Sequence, residues 1–183
     1  MMLHPATAHF AIVLPVVASV FGVIYLITRN EGMSKMSTRS LVVATLGVIA
    51  AWYTGSQAGP DAYPLLSSEG QHELLEHKTL GIYLALSFAV IALIKFAGCK
   101  MNKFGIEAVA VVLLLGATAT TFVQGRDGGE LTYEYGAGVE KHADGLDCLA
   151  NPGDYVEDES AITEEDGGTK EEGDSEENET EKE

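Results

Sequence analysis

The stretch TAHFAIVLPVVASVFGVIYLIT, residues 7–28, runs for 22 residues without a Lys, Arg, Asp or Glu. A hydrocarbon layer of ~30 Å is crossed by roughly 20 helical residues, with a range of about 17–25. This segment is long enough to cross as one helix. Three further runs repeat the pattern. Leu41–Gly59 is charge-free for 19 residues, Thr79–Ile94 for 16 and Ala108–Gln124 for 17. The last two reach spanning length once flanking residues are counted, because the long stems of Lys78 and Lys95 can run back to the interface. The sequence therefore predicts an all-α membrane protein. Its four-transmembrane-helix bundle has spans over about 7–28, 41–59, 78–95 and 106–124.

A cleaved leader is the alternative for the first span. A leader carries positive charge ahead of a short apolar core. Met1–Phe10 has no Lys or Arg, and the first basic residue, Arg29, follows the span. The span is expected to remain in the mature protein.

The whole chain of 183 residues is 46% hydrophobic yet carries a formal charge of -16. The two properties separate along the sequence: 21 of its 27 acidic residues lie from Asp127 onward. The front is apolar and slightly basic, without the clustered positive surface that nucleic acid requires. Composition thus excludes an ordinary soluble enzyme and a nucleic-acid-binding protein. With two cysteines, a disulfide scaffold is excluded as well.

Short loops set the expected orientation. Arg29, Lys35 and Arg39 lie between the first two spans, and Lys95, Lys100 and Lys103 between the last two. The middle loop offers Lys78 among Asp61, Glu69, Glu73 and Glu76. Positive loops stay cytoplasmic, so both termini and the middle loop face outward from the inner membrane of a bacterial cell. Trp52, Tyr53, Tyr83 and Phe122 then fall near the outer boundary, and Tyr25, Phe96 and Phe104 near the inner one. Cys99 and Cys148 lie on opposite sides and cannot pair. For packing, small residues let helix backbones approach. Gly47, Ala51, Gly55 and Gly59 recur every fourth position, Ala18 and Gly22 do the same, and Gly116, Thr118, Thr120 and Thr121 mark the fourth span. Pro15 is expected to kink the first.

The histidines carry the functional expectation. An ionisable residue at membrane depth is costly and points to function. His4 and His9 straddle the outer entry of the first span, and His72 and His77 lead into the third. Each pair is spaced i, i+5, which leaves its side chains about 140° apart on a helix. A site would therefore take one histidine from each helix, with His9 and His77 foremost and His4 and His72 secondary. Neutral imidazole ligates both metals and b-type haem iron, so these residues are candidates for a haem or for a bare metal ion. The competing expectation is structural: interfacial histidines bonded to carbonyls or to carboxylates such as Glu73 and Glu76. Covalent haem is excluded, because no C-x-x-C-H motif exists. No nucleophile–base pair, paired carboxylates or zinc motif is visible, and an enzyme is not expected.

After the fourth span, Gly128-Gly129 supplies a turn, and Leu131, Tyr133 and Tyr135 alternate with polar residues as a short strand would. The expectation is a small outward cap over 125–150. A phosphate-loop reading fails for want of a lysine and a following helix. Residues 151–183 hold fifteen acidic residues against Lys170 and Lys182. Such a tail cannot bury enough apolar surface to order itself. Solvation, weak divalent-cation attraction and an N-x-T glycan acceptor at Asn178 are its candidate roles.

The opening Leu3-His4-Pro5 with His9-Phe10, the His77 before Leu80-Gly81, and the close Gly128-Gly129 through Leu131, Tyr133, Gly136, Gly138 and Val139 resemble a bacterial four-helix membrane family. That family is known as a domain of unknown function, with LHPxxVHF-type and GGxLVYxxGxGV-type signatures. The likeness covers roughly residues 1–140. Ala8, Ala11 and Thr132 stand where the family usually has Val, Pro and Val. Relatives carrying cytochrome c or Rieske-like modules imply a redox setting, a b-type haem at His4, His9 or His77, and a redox protein partner on the outer face. The chain is also similar, more weakly, to four-helix di-haem membrane cytochromes. Those place histidines on both sides of the membrane, and this chain has none on the inner side. At most one haem near the outer face is implied.

Overall fold

The computed structural model describes residues 3–138. Helix α1 spans Leu3–Thr28, α2 Glu31–Ala62, α3 Ser68–Lys100 and α4 Phe104–Tyr133, with a single 3-10 turn at Tyr63–Leu65. The connections are short and chemically specific. Asn30 caps α2, its Oδ1 accepting from the backbone N–H of Gly32 at 2.7 Å and of Met33 at 3.3 Å. The Ser67 hydroxyl accepts from Gly70 N–H and caps α3. Such caps satisfy amides that have no partner inside the helix. Arg29 and Asn102 take positive φ, 51° and 54°, to reverse the chain at one end of the bundle.

Turns this tight make successive helices antiparallel. α1 packs on α2 and α4, and α3 packs on the same two, so the four form a closed ring. Ala18, Leu41, Ala44, Phe88 and Leu114 are fully enclosed at its centre. The outside is apolar as well: Leu46 is 61% exposed and Leu93 70%. All four helices are long and apolar enough to cross a membrane. Lipid tails solvate such a surface as well as a core would, so the bundle gains little from apolar association alone and depends on close packing and polar contacts.

The glycines show where that close packing happens. A Cβ on Gly22 would stand 3.0 Å from Val111 of α4, and one on Gly47 2.8 Å from Leu14 of α1. Gly59 and Gly116, expected to pack, have open space. Between helices, Ser19 and Thr118 share a hydrogen bond of 2.9 Å, and the Thr45 hydroxyl reaches the carbonyl of Phe88 at 3.3 Å. Pro15 lies inside α1 and is buried.

Three expectations need correction. The strand around Leu131–Tyr135 is helical up to Tyr133, because α4 runs two turns past the apolar span; no strand occurs among the described residues. The helix stops where Gly136 takes a φ of 70° and Ala137 N–H bonds to Leu131 C=O. Tyr25 is no interfacial anchor: it is 5% exposed and turned into the bundle. Lys95 does not run out to the interface but is wholly enclosed. The remainder of the cap, His142, Cys148, Asn178 and the acidic tail lie outside the described residues.

The close approach at Gly22 predicts that Gly22→Leu separates α1 from α4 and costs about 1–3 kcal/mol, as overpacking does. Gly116→Leu, on open surface, should leave stability within about 0.5 kcal/mol. Unfolding of the purified protein followed by helical circular dichroism measures both.

Candidate functional site

Two polar clusters occupy opposite ends of the bundle. At the histidine end, His4 and Thr7 come from α1, Thr54 and Gly55 from α2, His77 and Gly81 from α3, and Gln124 and Gly128 from α4. The Thr7 hydroxyl donates to the His4 carbonyl at 2.9 Å and meets the Thr54 hydroxyl at 2.7 Å. His4 Nδ1 lies 3.3 Å from the same Thr54 oxygen. A side chain at Gly55 would collide with the His4 ring, 2.7 Å from Cε1, so glycine is what admits this imidazole against α2. On the other side, Gly128 admits the His77 ring against α4, with Cε1 3.1 Å from where a Cβ would stand. Gln124 donates from Nε2 to the His77 carbonyl at 2.9 Å.

Two atoms in this cluster are buried without a partner, His77 Nδ1 and Gln124 Oε1. An unpaired buried polar atom costs roughly 1–3 kcal/mol. The fold turns His4 and His77 into this cluster, His4 against Gly55 of α2 and His77 against Gly128 of α4. His9 is exposed, its Nδ1 held by the Pro5 carbonyl at 2.6 Å. His72 is exposed and pairs with Glu76 at 3.7 Å. With Glu73 these two form a group compact enough for an ion, but on open surface. Helical phase explains the sorting: His4 and Thr7 share one face of α1, and His9 falls on another.

The fringe of this end is acidic, with seven carboxylates at 61, 69, 73, 76, 127, 130 and 134 against Lys78 and Arg126. Tyr135 seats its ring against Gly70. Its phenol is pushed above the usual range by desolvation first, and then by Glu73, Glu130, Glu69 and Glu134.

At the basic end, all four helices meet on one buried ion pair. Lys95 of α3 and Glu107 of α4 are in direct contact, 0% and 1% exposed. Tyr25 of α1 donates to Glu107 Oε1 at 2.7 Å, and Ser34 of α2 donates to Oε2 at 2.5 Å. Lys95 Nζ also reaches Thr38 Oγ1 at 3.4 Å and lies 4.6 Å from the Tyr25 ring centre. Gly98 makes the geometry feasible. A Cβ there would stand 2.8 Å from Glu107 Cγ, so only glycine lets α4 begin this close to α3. Arg29 stacks over Phe104 at 4.3 Å and closes the end from outside.

This cluster was missed from sequence, where Lys95 and Glu107 bound charge-free runs. A signal did exist. Leu84, Phe88, Ile91, Lys95 and Gly98 step along one face of α3, and Glu107, Ala110, Leu114, Thr118 and Thr121 along one face of α4. Each charge continues its helix's core stripe.

The family model described as "Predicted membrane protein (DUF2231)" matches residues 1–141. The chain belongs to that family of predicted membrane proteins. With its four apolar helices, it is a multi-pass membrane protein. No curated protein and no solved structure matches it.

The ion pair sets a clear expectation. Breaking a buried pair strands a charge and costs about 3–5 kcal/mol, whereas replacing both partners with apolar groups is often near neutral. Lys95→Met or Glu107→Leu alone should destabilise by that amount, and the double variant should recover most of it. A double-mutant cycle on unfolding free energies gives the result.

Proposed function

We propose that this protein binds a metal centre at its histidine end, either a haem iron or a bare transition-metal ion, with His4 and His77 as ligands and a redox role. The observation behind this reading is the buried, partnerless Nδ1 of His77, at the same end of the bundle as His4. With its proton on Nε2, a neutral imidazole offers Nδ1 as a lone pair, the form in which histidine ligates metal. His4 Nδ1 rests on Thr54, leaving Nε2 as its donor, in the arrangement where an outer oxygen fixes the ligand's tautomer. For a bare ion, the free Gln124 Oε1 is a third donor. Imidazole donors suit iron, copper, zinc and nickel. A haem would use the two imidazoles alone and supply one-electron chemistry. His9 and His72 take no part, since the first is bonded to Pro5 and the second paired with Glu76.

Charge supports an orientation. With Lys95 buried, Arg29, Lys35, Arg39, Lys100 and Lys103 still crowd one end, which the positive-inside rule assigns to the cytoplasm. The histidine end and both termini then face outward from a bacterial inner membrane. The acidic fringe there suits a redox partner with a positive face. A second reading is a non-catalytic anchor or accessory subunit with structural histidines. In its favour, His9 and His72 already have partners.

An oxidised-minus-reduced visible spectrum with metal analysis, on the full chain purified from cells with adequate haem and metal supply, separates these readings. We expect either a haem spectrum or near-stoichiometric metal. His4→Ala and His77→Ala should lower occupancy at least tenfold, and His9→Ala and His72→Ala should leave it unchanged. An empty protein, or full occupancy in both of the first two variants, overturns the metal reading and leaves the anchor.

A further inference from the structure

We infer that the groove between α2 and α3 at the basic end is a binding site for the headgroup of an anionic phospholipid. The groove is lined by Lys35, Thr38 and Arg39 of α2 and by Phe96, Cys99 and Lys100 of α3. Helical spacing builds it. Lys35 and Arg39 are one turn apart on α2, and Phe96, Cys99 and Lys100 follow at i, i+3 and i+4 on α3, so each set shares one face.

Three properties point to a lipid. The first is charge. Three cations line one depression, and the carboxylate nearest in sequence, Glu31, is bound to Lys35 at 2.6 Å on the side of the helix start. Arg39 and Lys100 have no acidic partner among the described residues. The one buried carboxylate nearby, Glu107, is saturated by Lys95, Ser34 and Tyr25 and offers them nothing.

The second is depth. Arg39 stands where the exposed surface of α2 turns apolar, followed by Val42, Val43 and Leu46. On α3 the exposed Phe96 and Leu93 lie just inward of Lys100. The groove therefore straddles the boundary between water and hydrocarbon, where a phosphate meets its acyl chains. Basic pockets between transmembrane helices at this level take anionic headgroups.

The third is continuity. Arg39 also lines a second, apolar groove on the α1–α2 face with Leu14, Val17, Ser40 and Val43. A phosphate held by Arg39 has an acyl-chain channel running inward from it. A soluble phosphate would gain nothing from that channel, which is why the occupant is a lipid. Arg39 presents a planar fork for two phosphate oxygens, and Lys100 a point charge opposite it.

Native mass spectrometry of the full chain, released from neutral detergent, tests this with phosphatidylglycerol and phosphatidylcholine of identical acyl chains. The expected result is retention of one phosphatidylglycerol per chain, with at least tenfold preference over phosphatidylcholine. Arg39→Gln with Lys100→Gln should abolish the preference, and Lys103→Gln, at the neighbouring turn, should keep it. Cys99→Phe fills the groove without changing charge and should also abolish it, which covers the case where the double variant fails to fold. Equal loss in Lys103→Gln would mean diffuse attraction and overturn the site. So would retained preference in Cys99→Phe, or displacement of the lipid by millimolar glycerol 3-phosphate.

Discussion

The contact between Lys95 and Glu107 is the constraint on which the bundle's geometry turns. Both charges sit where neither water nor lipid headgroups reach them, so each is tolerable only while the other is present. The carboxylate accepts from Tyr25 and Ser34 while it faces Lys95, and the ammonium reaches Thr38. One side chain from each of α1, α3 and α4 and two from α2 therefore have to be in place together. Apolar association in lipid is weak and not directional. A polar knot of this kind fixes rotation and depth for all four helices, which a surface of Leu and Val does not.

From that knot inward the bundle is apolar, with Leu41, Phe88, Val111 and Leu114 enclosed. Among them, Ser19 with Thr118 and the Thr45 hydroxyl with the Phe88 carbonyl are polar rungs between the two ends. The two polar ends are therefore separated by packed hydrocarbon, and they differ in kind. At the basic end the ionised groups are saturated. At the other, an imidazole nitrogen and an amide oxygen are enclosed with nothing to bind, and elsewhere among the described residues only the Ser37 hydroxyl shares that state. Proteins keep few such atoms, and those they keep call for an explanation through a ligand, an ion or water. Two such atoms in one cluster, on His77 and Gln124, are what the proposed site rests on.

Much of the fold was legible because the bilayer imposes a crude and strong rule. Charge-free runs of spanning length gave four helices, and the boundaries lengthened only where polar turns such as Gly128–Tyr133 stayed helical. What escaped was rotational phase. His9 looked the better ligand by depth, yet depth along a helix says nothing about which face a residue occupies. Thr7 and Thr54 bring His4 inward, and His9 is left to its own helix at Pro5. Likewise the strand pattern at Leu131–Tyr135 was a local alternation without neighbouring strands to pair with, and helix continuation satisfied the same backbone at no extra cost.

Phase also decides what the charges mean. Lys95 and Lys100 are five residues apart on α3, and a count of loop charges treats them alike. Turned inward, Lys95 is neutralised by Glu107 and adds nothing to the field at the membrane surface. Turned outward, Lys100 faces Arg39 across a groove whose floor is the Thr38 that Lys95 touches. The buried cluster ties Ser34 and Thr38 of α2 to Glu107 and Lys95 and consumes Glu107 there, while Glu31 is held by Lys35 at the groove's edge. Stability at the inside of this end and ligand chemistry at its outside follow from one arrangement: a Glu107 that is fully spoken for leaves the exposed cations to something that comes from the membrane.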